Sequence, residues 1–417
     1  MPRKSHPYAM LAVLTGLNVL NYIDRNVLFA VQPLIKKEFG ATDEQIGTLT
    51  FAFFISYMFA APIVGWLGDK YPRKNIVVVG IAIWSGFTLL TWLVHDYSQL
   101  LFRHTIVGIG EASYATIAPT LIADSFPLEK RGRMLSIFFV GLPFGSAAGY
   151  LVGGYFAHHF GWRVPFMVAG APGFLLALIL WFLPEPQRGQ SEPGQHAEQH
   201  AKGFLETLKH LLRVLDSLWR NGAFVTACLG MAMYTFAVGG MQVWIPTFLE
   251  RVRGLNLQQA NTTFGLITLF HGFVATLLGG WIGDRLLKRY FGAYYTFPGI
   301  MMLVAVPFMV LAIYVAGPLM FPFIFVAVFL LLVGTGPTNA AVVNSASPAI
   351  RSTALAVNVF VIHLLGDSLS PRLMGLVSDK TSLPTAFWMA FIAAGLSGCI
   401  LLYGARYAPR PQLVAKS

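Results

Sequence analysis

The hexapeptide Gly65-Trp66-Leu67-Gly68-Asp69-Lys70 returns 215 residues later as Gly280-Trp281-Ile282-Gly283-Asp284-Arg285, matched in type at every position. Each copy ends a long apolar run and opens a polar break. Reading outward from the two copies, apolar segments fall at 8–33, 44–67, 75–94, 98–122, 132–156, 163–183, 221–248, 261–282, 293–315, 320–344, 352–377 and 384–406. A bilayer crossing by an α-helix takes about 20 apolar residues, so these are twelve candidate spans. The hexapeptide closes the second span of each set of six. Arg131 opens the fifth span and Arg351 the eleventh. A motif repeated in matched topological positions predicts an internal duplication. The expected architecture is an all-α membrane protein, twelve transmembrane helices arranged as two pseudo-symmetric six-helix bundles.

Composition leads to the same class. Of 417 residues, 56% are hydrophobic and 11% charged, against about 25% charged in soluble domains. Too few polar residues are present to cover so much apolar surface in water. A net charge of +11 would point to nucleic acid in a soluble protein. Here it follows the distribution of loops. With the N-terminus inside, 20 Lys and Arg fall in cytoplasmic segments and 6 in outer ones (Lys36, Lys37, Arg163, Arg251, Arg253 and Lys380). That asymmetry places both termini in the cytoplasm and the chain in the cell membrane, with no nucleic-acid partner. Arg3 and Lys4 precede a long apolar stretch without a small-residue cleavage site, which reads as a first span rather than a cleaved signal. Cys228 and Cys399 both lie in apolar runs and read as small buried side chains, not as a disulfide or metal site.

Between the halves, Pro184 to Lys202 is polar and reads as a flexible linker. Phe204 to Trp219 then places leucines and aromatics on one helical stripe, with Glu206, Lys209, His210 and Arg213 opposite. Such a helix lies in the membrane interface or packs on cytoplasmic loops. The expected organisation is an N-terminal bundle over 1–183, a linker with its amphipathic helix over 184–220, and a C-terminal bundle over 221–417.

The run Gly65-x-x-x-Asp69-Lys70-x-x-Arg73-Lys74, with its echo at Gly280-x-x-x-Asp284-Arg285 and with Arg103 and Gly108-x-Gly110 in the fourth span, resembles the major facilitator superfamily. Position 72 is Pro where the general motif prefers Gly. Asn21-Tyr22-x-Asp24-Arg25, Gly108-x-Gly110-Glu111-Ala112-Ser113-Tyr114-Ala115-Thr116-Ile117-Ala118-Pro119-Thr120 and Arg131-x-Arg133-Met134-Leu135-Ser136-Ile137-Phe138 resemble the spinster family within it. Animal members of that family export sphingosine-1-phosphate or lysophospholipids. The resemblance implies alternating access, with spans 1 and 4 lining a central path. It also implies a gating role for Gly65, Asp69, Lys70, Arg73, Arg131, Asp284 and Arg285: Asp69 would meet the N–H groups that start span 11, near Ser352 and Thr353, and Asp284 those of span 5. An anion is favoured at a helix N-terminus.

Ionisable groups inside spans are costly and mark function. The interior set is Asp24, Arg25, Arg103, His104, Glu111, His271, His363, Asp367 and Arg372. In span 1, Asn18, Asn21, Tyr22, Arg25 and Gln32 recur at helical spacing, a polar stripe that faces an aqueous path or glues helices together. Helical rise sets Arg25 about 12 Å and Asp24 about 13 Å from the outer end of span 1, and Arg103 about 8 Å and Glu111 about 20 Å along span 4. Because the resemblance places spans 1 and 4 on the central path, it implies that these four residues converge. Arginine can hold an anionic headgroup through a forked contact, so Arg25 and Arg103, with Asn18, Asn21 and Tyr22, are the substrate-binding candidates. A carboxylate in a dry cavity near an arginine is poised for reversible protonation, so Glu111 and Asp24 are the proton-coupling candidates. The competing reading is a static salt bridge. Span 5 carries Gly141, Gly145, Gly149 and Gly153 at four-residue spacing, a surface for close helix packing.

The chain has no Gly-x-x-x-x-Gly-Lys-Ser/Thr loop, no His-Glu-x-x-His and no Gly-x-Ser-x-Gly. An ATP-driven pump and a membrane hydrolase are thereby disfavoured, and no metal or other cofactor is expected. The expected function is secondary transport of an amphiphilic, lipid-like anion by a proton-coupled monomer amid membrane lipids. The alternatives are a transporter of small organic anions or drugs, and a transport-dead membrane sensor.

Overall fold

The computed structural model describes residues 6–188, 204–347 and 350–409. Each of the twelve expected spans is helical. Among the described residues, α1 (Pro7–Phe39), α2 (Asp43–Lys70), α3 (Arg73–Leu89, extended by a 3₁₀ turn to Leu93) and α4 (Tyr97–Ser125) supply spans 1 to 4. The fifth span is α5 (Leu128–Phe139) and α6 (Gly141–Phe160), and the sixth is α7 (Val164–Phe182). The amphipathic segment is α8 (Phe204–Arg220). Then follow α9 (Gly222–Arg251), α10 (Leu257–Leu287), α11 (Ala293–Tyr314), α12 (Met320–Val333) with α13 (Thr335–Ser345), α14 (Arg351–Ile362) with α15 (Leu369–Lys380), and α16 (Leu383–Gly404).

Local chemistry explains where these helices start and stop. Thr42 and Gln45 form a reciprocal capping box at the start of α2, which satisfies two otherwise orphaned donors. Asp96 caps α4 through the Gln99 N–H at 2.8 Å, and Ser382 caps α16. Gly40, at φ +60°, ends α1 in the left-handed region that glycine enters without strain.

Among the described residues, eleven helical segments are long and apolar enough to cross a membrane by length and composition. The first helix is not among them, because Asn18, Asn21, Asp24, Arg25 and Asn26 lower its hydropathy; it is nevertheless 33 residues long, about 50 Å. Three spans expected as single helices are interrupted. α5 gives way to α6 around Val140, α12 to α13 at Gly334, and α14 to α15 through a π turn, His363–Asp367, with Gly366 at φ −103° and ψ −106°. Each break has glycine at the join and proline a few residues on, the usual causes of a broken helical ladder.

The chain packs as two units. One holds α1 to α7 together with Gln242–Leu269; the other holds α8, α9 as far as Met241, and the chain from Phe270 onward. In the first unit, Leu14, Leu17, Phe53, Val77, Ile81, Trp84, Tyr114 and Leu121 form a buried core. Trp84 meets Tyr114 edge-on at 5.6 Å. Phe59, Ile63, Leu175, Leu178 and Phe182 are exposed, which in water would be an aggregation surface and in a bilayer faces acyl chains. The glycine stripe lies along α1. A Cβ on Gly145 would stand 2.5 Å from the Val19 carbonyl oxygen, so only glycine allows α6 this close to the helix that carries the polar residues.

Candidate functional site

The site is built on α1. Asn18, Asn21, Asp24 and Asn26 are buried there at 5%, 2%, 3% and 4% exposure, although the helix would otherwise be apolar. Each amide or acid needs a partner, and the partners show how the site is organised. Asn18 donates to the Phe138 carbonyl at 2.9 Å, tying α1 to α5. Asn26 donates to the Tyr22 carbonyl one turn back at 2.8 Å.

Successive side chains on a helix diverge by about 100°, and Asp24 and Arg25 use that divergence to reach different neighbours. Arg25 Nε donates to Glu111 Oε2 at 2.6 Å, and the Glu111 side chain is fully buried. Four rings surround the guanidinium: Phe53 at 5.0 Å, Tyr22 at 5.3 Å, Tyr57 at 5.4 Å and Phe54 at 5.9 Å. Asn21 neighbours Glu111, but its Nδ2 and the second carboxylate oxygen, Oε1, are both buried outside hydrogen-bond geometry. Asp24 turns to α3, where the Thr88 hydroxyl donates to it at 2.6 Å.

Arg103 is 3% exposed. It donates through Nη1 to the Phe87 carbonyl at 3.1 Å and packs over the Phe166 ring at 5.0 Å. Its Nε and Nη2 are buried without a partner. Asp24 is the carboxylate whose charge acts on it, without an ion-pair contact. The four residues expected to converge therefore sort into two couples, Arg25 with Glu111 and Asp24 toward Arg103, joined by one peptide bond. His104 stacks against Phe53 at 5.2 Å.

Such an arrangement can bind and release charge. Removing one partner of a buried ion pair costs about 3–5 kcal/mol when the other charge is stranded. Protonating Glu111 leaves the guanidinium without its acid but still against four ring faces, which lower the cost of that state. Among the described residues, no group of three His, Cys, Asp or Glu side chains is spaced to hold a metal ion.

The gating candidates of the first unit lie at the end of that unit where α1 begins. Asp69 and Lys70 are exposed, and Lys70 sits over Trp66 at 4.1 Å. In the second unit Arg285 sits over Trp281 at 5.4 Å, so the duplicated hexapeptide repeats its cation–ring contact. Asp284 accepts a hydrogen bond from Tyr294 at 2.7 Å. Arg73 is the most enclosed member of the set: Nη1 pairs with Asp124 at 2.6 Å and reaches Thr120 at 3.2 Å, and Nη2 donates to Pro186 O at 3.3 Å. Glu185 accepts from the Arg73 N–H at 2.9 Å, an anion on the N-terminus of α3. Arg188 donates to the carbonyls of Gly68, Asp69 and Tyr71. Gly65 packs near Thr116, and Arg131 is half-buried in the first turn of α5. In the second unit His271 is fully buried among Phe270, Phe325 and Phe329, and His363 meets Asp367 at 3.0 Å within the π turn.

Sequence reasoning passed over three features. The ring set around Arg25 was legible as Phe53-Phe54 and Tyr57 on one side of α2, but aromatics are common in any span. Thr88 carried no signal beyond being a hydroxyl in an apolar run. The third is Asp43, 1% exposed, which takes Lys36 at 2.5 Å and both Nη atoms of Arg251 at 2.8 and 3.0 Å. In sequence Asp43 reads as a first-turn acid, and the two cations read as loop charges.

A family model of the Major Facilitator Superfamily matches residues 14–371. Protein spinster homolog 3 of Danio rerio is 36% identical over 393 residues, covering 90% of this chain and 77% of that protein. Protein spinster homolog 1 of Homo sapiens is 35% identical over 409 residues, covering 93% and 76%. Among solved structures, a bacterial homologue of the human lysosomal transporter Spinster, inward-facing and unoccupied, superimposes with a TM-score of 0.85 at 24% identity over 98% of this chain and 100% of that one. A D-xylose–proton symporter does so with a TM-score of 0.76 at 16% identity, over 97% and 98%. These two likenesses concern the fold.

Proposed function

Because the chain belongs to the spinster family of the Major Facilitator Superfamily, a family of membrane transporters, we propose that it moves an amphiphilic, lipid-like anion by alternating access, driven by protons. The observation that carries this reading is the buried Arg25–Glu111 pair in its ring of aromatics. Arg25 is the anion site, a cation already desolvated and held for a forked contact. Glu111 is the proton site. Protonating it frees Arg25 for an anionic headgroup, and loss of the proton restores the pair and expels the anion. Asp24 tunes both through its place beside Arg25, and Arg103 supplies a second cation with two unused N–H donors. Asn21 and Tyr22 line the same stretch of α1, and Asn18 anchors it.

Gating is assigned to the loop residues. Asp69, with Gly65, Lys70 and Arg73, steadies one state, and Asp284, Arg285 and Arg131 form the related set. The duplicated halves are taken as 1–183 and 221–417 with a linker over 184–220, although Gln242–Leu269 packs with the first unit. The charge distribution favours the cell membrane with both termini cytoplasmic, and a monomer suffices for the mechanism.

The test uses the full chain in proteoliposomes with a fluorescent lysophosphatidic acid, and a small dicarboxylate as comparator. Glu111→Gln is expected to abolish pH-gradient-driven accumulation while sparing exchange, which needs no net proton cycle. Arg25→Ala is expected to weaken binding tenfold or more, since a hydrogen bond to a charged group contributes about 1.5–3 kcal/mol; Arg25→Lys recovers part of it. Normal gradient-driven uptake in Glu111→Gln overturns the proton role. Uptake of the dicarboxylate alone overturns the substrate class.

A further inference from the structure

We infer that the rings around Arg25 act as an alternative counter-ion and thereby set how readily Glu111 takes up its proton, which makes Phe53 and Tyr57 positioning residues for coupling. The inference rests on Glu111 being the proton site proposed above. Its observations are geometric. Glu111 meets Arg25 through one hydrogen bond at Nε, while four ring centroids lie within 5.0 to 5.9 Å of the guanidinium carbon. Three of those rings, Phe53, Phe54 and Tyr57, come from α2, a helix that brings no carboxylate to the pair.

An aromatic face presents negative potential, so it attracts a cation and opposes a nearby carboxylate. When Glu111 is ionised, its charge largely cancels that of Arg25, and the rings gain little. When Glu111 is neutral, the guanidinium stands with its full charge and the rings gain most. The difference favours the protonated state. Without the rings, protonation would strand a guanidinium whose side chain is only 15% exposed, and the proton would be held off. The other ionisable groups facing the pair are Asp24 and Tyr22 on α1, Tyr57 on α2, and Arg103 and His104 on α4. Phe53 is shared, with His104 against it at 5.2 Å.

Infrared difference spectroscopy of the full chain in vesicles, titrated with pH and without substrate, reads the protonated carboxyl band directly. The band lost in Glu111→Gln identifies the residue. In Phe53→Leu and Tyr57→Leu the midpoint of that band is expected about 0.5–1 pH unit more acid than in the wild type. Tyr57→Phe keeps the ring but removes the hydroxyl that bonds to Arg25, so the ring's own share is read as the difference between the Tyr57→Leu and Tyr57→Phe midpoints. Phe53 is a core residue, whereas Tyr57 is half-buried, so the Tyr57 pair carries the test if Phe53→Leu folds poorly. A midpoint in Tyr57→Leu that is equal to or more alkaline than that of Tyr57→Phe overturns the inference and leaves the proton site standing. If Glu111→Gln removes no titrating band, the proton site fails, and the inference fails with it.

Discussion

Asp43 offers the sharpest test of how the first unit is held together. Its carboxylate is 2% exposed and takes three charged contacts, from Lys36 and from both arms of Arg251, whose side chains are 32% and 33% exposed. Breaking a wholly buried pair costs about 3–5 kcal/mol, and an exposed pair contributes about 0.2–1 kcal/mol. Here the acid is dry and the cations are one-third in solvent, so a value between these limits applies. The bidentate geometry favours the upper part of that interval, and the Asp43–Arg251 coupling is expected at about 1–3 kcal/mol. Asp43→Asn leaves the Thr42 cap of α2 in place but sets two cations side by side without their acid. A double-mutant cycle over Asp43→Asn and Arg251→Gln, read by reversible unfolding in mixed micelles, measures the coupling. The charge-reversed pair Asp43→Arg with Arg251→Asp is expected to recover part of it. The contact ties the start of α2 to the end of α9 above Thr247, which is 2% exposed. A cysteine at Thr247 is therefore expected to label faster with a small thiol reagent once Asp43 is neutralised. Coupling below about 0.3–0.5 kcal/mol, the ordinary additivity error, together with unchanged labelling, would refute the reasoning and reduce the cluster to a surface ion pair.

Three other outcomes are expected. Gly145→Ala places a methyl 2.5 Å from the Val19 carbonyl oxygen and should destabilise by about 1–3 kcal/mol in the same unfolding assay, whereas Gly132→Ala, with open space around its Cβ, should be neutral or stabilising. Asp69→Asn should lower transport of lysophosphatidic acid severalfold with less effect on its binding, because an anion at a helix end contributes about 0.3–2 kcal/mol to one state; equal loss of both would remove it from gating. Single cysteines at Lys37 and Gly132 should react with an impermeant reagent from outside and inside the cell respectively, and the reverse pattern would invert the topology.

The helices were legible because a bilayer demands long apolar runs and the polar breaks between them are few. Their interruptions were less so: Gly334 and Gly366 look like any small residue in a span, and only the observed backbone distinguishes a break from a tolerated glycine. The site was legible as a set of residues but not as a set of contacts. Helical geometry requires Asp24 and Arg25 to diverge, yet nothing local says that one meets a threonine on α3 and the other a glutamate on α4. Long-range pairing is the harder problem still. Asp43 and Arg251 stand 208 residues apart, and each alone has an ordinary explanation, a helix-start acid and a loop cation. Their pairing depends on packing, which no periodicity within either helix encodes.

The duplication makes the division of labour between the halves informative. The loop hexapeptide has kept its residues and its local contact: Lys70 lies over Trp66, and Arg285 over Trp281. The helix interiors have diverged. The buried acid–arginine pair belongs to the first unit, while the second buries His271 among aromatics and joins His363 to Asp367 in a π turn. Physical cost accounts for the difference. A loop contact at the membrane surface is cheap in either copy, and a symmetric gating motion favours keeping it in both. The Arg25–Glu111 pair sits among aromatic faces on a helix that glycines let pack closely, and each added buried ion raises the desolvation penalty. In the proposed mechanism, one complete set suffices to couple an anion to a proton. A second set would add that penalty again, so the second copy is free to carry neutral or weakly charged groups while its loop keeps the cation–ring contact of the first.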